Sequence, residues 1–176
     1  MTELYAEVVR RLDRDDPVPR DDVQRWIETG DLLTWSAVYE LINVAYDRIT
    51  PELGDETLDF ARRYLLRCIE ENPTPGDLLH GGFEAAWELA AALKHWRAVG
   101  GKATEAIVRG VVIDLEKLYR RADAATRSRV LCGVLEHAFE DPALRHQFAH
   151  WNRGDEDVRD AYKLAMEWGE AHEGGN

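Results

Sequence analysis

The chain has 176 residues, 45% hydrophobic and 32% charged, a composition that excludes an extended disordered polymer and suits a globular protein. Its 34 acidic residues against 22 Lys and Arg give a formal charge of −12, which repels phosphate backbones and anionic lipid and argues against nucleic acid or a membrane surface as partner. No run of about 18 apolar residues is present to cross a bilayer, and the opening Met1-Thr2-Glu3-Leu4 lacks the character of a signal peptide, so a cytoplasmic protein is expected.

The first predicted helix starts at Thr2, a good N-cap, and places Leu4, Val8 and Leu12 on one stripe. It ends at Asp15-Asp16-Pro17-Val18-Pro19, where two prolines cannot continue a helix. A short helix follows from Asp21 with Val23, Trp26 and Ile27, stopped by Gly30. Asp31 caps a third, whose apolar stripe runs from Leu33 through Val38, Leu41, Ile42, Ala45 and Tyr46 to Ile49 before Thr50-Pro51 breaks it.

A fourth helix spans Asp55 to Glu71 and buries Leu58, Ala61, Leu65, Cys68 and Ile69. Asn72-Pro73-Thr74-Pro75-Gly76 is the strongest break in the chain. The longest apolar segment, Asp77 to Val99, then reads as one helix with Gly81-Gly82 inside it. Gly100-Gly101 ends it, and a sixth helix begins at Thr104. A seventh covers Ala124 to Glu140; Asp141-Pro142 interrupts; Ala143 to Trp151 forms a short helix, and Asp155 to Glu170 the last.

The fold class is therefore all-α, with seven to nine antiparallel helices in one domain over residues 1–173 and a disordered tail at Gly174, Gly175 and Asn176. Drawn as pairs, 31–72, 77–122 and 124–172 suit a HEAT-like α-solenoid, and an irregular helical bundle fits the same pattern. The two cysteines, Cys68 and Cys132, read as buried free thiols without metal-type spacing.

Catalytic and cofactor patterns are incomplete. Gly100-Gly101-Lys102-Ala103-Thr104 lacks the earlier glycine of a phosphate-binding loop (Trp96 stands there) and the Ser or Thr after the lysine (Ala103). His146 and His150 are spaced to share one helix face, with His137 and Glu140 or Asp141 as further metal ligands, but Gln147 replaces the glutamate of zinc-protease helices. Asp77 and His80 alone do not make the paired Glu-x-x-His motif of di-iron bundles. Glu84 and Glu88, one turn apart, read either as a partly buried acid pair or as the polar edge of their helix. No nucleophile context surrounds Ser36 or Ser128. No cofactor is expected.

Six tryptophans divide into two groups. Trp26, Trp35 and Trp87 lie on apolar stripes and read as core; Trp96, Trp151 and Trp168 lie near helix ends, half exposed. Acid clusters at Asp13-Arg14-Asp15-Asp16, Asp21-Asp22, Glu70-Glu71 and Asp155-Glu156-Asp157 either cap helices or form an anionic docking patch.

In size, acidity and helix content the chain is similar to the small acidic helical proteins that bacteria use as immunity proteins or antitoxins. That resemblance implies a protein that masks the active site of a basic toxin, often a nuclease. The expectation is a non-enzymatic protein that binds a basic protein partner, with Trp96, Trp151, Asp155, Glu156, Asp157 and Trp168 as candidate contact residues. A small-molecule- or metal-binding helical-bundle enzyme, with its pocket near Leu78–Trp96, is the alternative.

Overall fold

A computed structural model describes residues 2–173, and they contain helices and connections but no strand. The helices are α1 (Glu3–Leu12), α2 (Arg20–Glu28), α3 (Leu32–Val44), α4 (Tyr46–Leu53), α5 (Asp55–Glu71), α6 (Gly82–Val99), α7 (Lys102–Arg121), α8 (Ala124–Ser128), α9 (Glu136–Phe139), α10 (Pro142–Gln147) and α11 (Glu156–Ala171). A π-helical segment, Arg129–Leu135, joins α8 to α9 in one rod, and a 3₁₀ turn, Ala149–Arg153, follows α10. The expected tail lies outside the described residues.

The chain divides into two compact units: residues 1–64 with 73–81, and residues 65–72 with 82–176. The division cuts α5 between Tyr64 and Leu65 rather than between the helix pairs drawn from the sequence. The all-α expectation holds.

In the first unit, α1 and α2 both pack on α3. Only Glu40 is charged in α3, and residues Thr34 to Tyr39 are all buried. Its buried hydroxyls are satisfied locally: Ser36 Oγ donates to the Leu33 carbonyl at 2.7 Å and Thr34 Oγ1 to Asp31 at 2.6 Å. Trp35 meets Phe60 edge-on with 5.5 Å between ring centroids, and its indole N–H donates to the Ile27 carbonyl. Tyr64, fully buried, hydrogen-bonds His80 Nδ1 at 2.9 Å. These contacts give the aromatic core of the unit its fixed geometry.

Two expected boundaries move here. The third helix stops at Val44, because Ala45 leaves helical geometry (φ −128°, ψ 29°), and a separate helix, α4, runs on through position 51. Proline thus ends no helix there; the chain turns earlier, at a residue with no turn signature.

The second unit is built on the rod of residues 124–139, against which α6 and α11 pack. Trp151 is fully enclosed, touching Tyr119 and Phe148, while Phe139 meets Phe148 and Tyr162. Helix α6 starts at Gly82, not Asp77 as the sequence suggested: residues 77–81 are not helical. The glycine pair therefore stands at the helix start rather than inside it. Gly100 and Gly101 adopt φ of 70° and 100°, the reversal that separates α6 from α7. The segment expected from Ala143 to Trp151 divides into α10 and the 3₁₀ turn.

Candidate protein-binding surface

All six candidate contact residues lie in the second unit. Trp151 is fully buried and Trp96 only 6% exposed, a correction to their expected half-exposure; over Trp151 the rings of Tyr119 and Phe148 close a position that the sequence places at a surface. Trp168 does stand out from α11, 38% exposed and stacked on His172 at 4.0 Å. Trp87, expected in the core, is 53% exposed.

The acidic triplet opens α11. Asp155 is its N-cap, accepting the Val158 N–H at 3.1 Å, and pairs with Arg120. Asp157 pairs with Arg127 at 2.6 Å. Arg120 also binds Glu116, whose other oxygen meets His150 Nε2 at 2.9 Å. Two of the three carboxylates are thus tied to internal cations, and Glu156 is exposed beside them. Other acid clusters are tied similarly: Asp22 to Arg11 and Arg25, Glu70 to Arg121, Glu71 to Arg67.

Further along α11 the balance changes. The helix carries five acidic residues and two basic ones; Glu156, Asp160, Glu167 and Glu170 are all exposed, and the exposed Lys163 among them lies 3.9 Å from Asp160. Val158, Ala161, Ala165 and Gly169 take the buried face, so helical periodicity turns these carboxylates outward. Leu164, 52% exposed, and Trp168 run one turn apart along the flank of this acidic face. An apolar anchor beside outward carboxylates suits a protein surface carrying positive charge.

Helix α6 presents a second surface that the sequence reading missed. Phe83, 40% exposed, and Trp87 lie one turn apart with ring centroids 6.1 Å from each other. Residues 82–93 contain Glu84 and Glu88 but no lysine or arginine. Glu84 is exposed and Glu88 half-buried, which places the pair at the polar edge of the helix. The cations that follow, Lys94 and Arg97, are bound to Glu140 at 2.7 Å and Asp141 at 2.6 Å.

His146 and His150 fall on different elements, α10 and the 3₁₀ turn, and both are exposed. Among the described residues no group of three or more His, Cys, Asp or Glu is placed to hold a metal ion. Cys68 is buried and Cys132 half-buried, and neither is in a disulfide. Burial, and then the Glu136 carboxylate, push the Cys132 thiol up, away from the reactive thiolate. Glu140 is pushed up by burial but held, on balance, below the ordinary glutamate range by hydrogen bonds from Lys94 and His137.

No helix among the described residues is long and apolar enough to cross a membrane. No family model matches the chain, and no curated protein or solved structure was found to match it.

Proposed function

We propose that the protein is a non-enzymatic binding module that captures a basic protein partner. The observation that carries this reading is the outer face of α11, where Glu156, Asp160, Glu167 and Glu170 project beside the exposed Leu164 and Trp168. Carboxylates steer a cationic partner and set its orientation, while the apolar flank supplies contact area that excludes water. The net charge of −12 adds a long-range field of the same sign.

The test is affinity capture from the source cell with the wild-type chain and with a variant carrying Glu156→Gln, Asp160→Asn, Glu167→Gln and Glu170→Gln. The reading expects one stoichiometric basic protein that the wild type retains and the variant loses. Equal retention by both would remove the α11 face from the account. An inhibitory role, as the likeness to immunity proteins implies, further requires that the captured protein's activity fall when the chain is added.

A further inference from the structure

Two rows of exposed side chains run side by side along α11. A helix turns by about 100° per residue, so Glu156, Asp160 and Glu167 line up opposite the buried Val158, Ala161, Ala165 and Gly169. Leu164 and Trp168 form a second row on one side of them, and Arg159, Lys163 and Glu170 lie on the other. Among the described residues Glu156, Glu167 and Glu170 pair with no cation, and Asp160 pairs only with Lys163, 3.9 Å away. The carboxylate row is therefore largely uncompensated, in contrast to Asp155 and Asp157 at the helix start. Trp168 is steadied by its stack on His172, so its exposed area loses little freedom on binding.

The two rows discriminate between the forms a basic segment can take. A strand sends alternate side chains to opposite faces, so it offers a facing surface only one row at a time. A helix presents adjacent rows together, with side chains stepped one turn apart as they are on α11. We infer that the α11 face receives an amphipathic basic helix of the partner. Its Lys and Arg residues lie over Glu156, Asp160 and Glu167, and its apolar edge lies against Leu164 and Trp168. Arg159 and Lys163 repel the basic row from the opposite flank, which fixes the edge that meets the apolar pair. The inference rests on the proposed function and names the kind of segment that the face takes.

The test titrates two capped peptides of about 18 residues into the full-length protein at low salt. Both have the same lysine, leucine and alanine composition. One places its lysines a turn apart with the leucines in the next row, and the other scrambles them so that no helical face forms. The amphipathic peptide should bind about tenfold tighter and gain helical circular dichroism on binding. Leu164→Ala with Trp168→Ala should remove that advantage and change the affinity of the scrambled peptide by less than about twofold. Both residues are exposed, and circular dichroism checks that the variant is folded. Equal affinity for the two peptides, or an advantage that survives the double variant, overturns the helix inference. The carboxylate reading then stands if the four-carboxylate variant weakens both peptides. Failure of either peptide to bind, or equal binding by the four-carboxylate variant, overturns the proposed function as well.

Discussion

Asn72 and Gly82, both in the second unit, are joined through a side chain: Asn72, whose own φ is +47°, accepts the Gly82 N–H on its Oδ1 at 3.1 Å. The side chain so satisfies one of the first amides of α6. The same junction leaves no room at Gly82, where a Cβ would sit 2.5 Å from Arg129 Cδ and 2.7 Å from Asn72 Oδ1. Gly82→Ala should therefore destabilise the protein by about 1–3 kcal/mol in chemical denaturation. Asn72→Ala should cost about 1 kcal/mol through the lost cap, and more than Asn72→Gly, which suits the positive φ.

Arg129 is 6% exposed and is held entirely by neutral acceptors: Ile69 O at 2.7 Å, Thr126 Oγ1 at 2.7 Å and Glu70 O at 3.4 Å. Its charge lies against the last carbonyls of α5, the negative end of that helix. Arg129→Met strands those buried acceptors and should lower stability by about 1–3 kcal/mol, read as a lower melting temperature. A melting temperature equal to wild type would show that the guanidinium is not what satisfies them.

Much of this was legible in the chain. The Thr2, Asp31 and Asp155 side chains cap α1, α3 and α11 as their residue types announce, and α5 spans the expected Asp55–Glu71. What failed was facing. Helix α6 is apolar on nearly every side, so periodicity gives no preference between burying Ala86 and burying Trp87. The choice is made by Gly133, distant in sequence, which admits Ala86 and leaves Trp87 outside. The acid clusters were readable as sequence, but their internal partners, such as Arg120 for Asp155 and Arg127 for Asp157, come 35 and 30 residues away. Only folding reveals which carboxylates remain outward.

That reassignment of tryptophans makes an optical prediction. Trp87 and Trp168 are 53% and 38% exposed, whereas Trp26 and Trp151 are fully buried. Trp87→Phe and Trp168→Phe should each remove emission that acrylamide quenches readily. Trp151→Phe should leave the quenchable fraction larger than before. The opposite order would reinstate Trp151 as a surface residue.

Acid should weaken the fold through named carboxylates. Glu7 is held below the ordinary glutamate range by its hydrogen bond from Arg25, against the opposing effect of burial. Glu140 is pushed up by burial, but the bonds from Lys94 and His137 outweigh it and also hold it low. Both folded-state values lie below the unfolded one, so their stabilisation is present above about pH 4.3 and is lost as pH falls through the lower folded values. Carboxyl ¹³C titration should place both midpoints below that of an unfolded glutamate. Lys94→Met should raise the Glu140 midpoint and leave Glu7 unmoved.

The central claim is recognition of a basic protein by outward carboxylates, and the most direct measurement is the dissociation constant of the captured partner against salt concentration. Exposed charges are screened beyond about 10 Å at 0.1 M ionic strength, so binding should weaken by at least about tenfold between low and high salt. Neutralising the α11 carboxylates should flatten that dependence. An affinity indifferent to salt, with the wild type and the neutralised variant binding alike, would contradict the account.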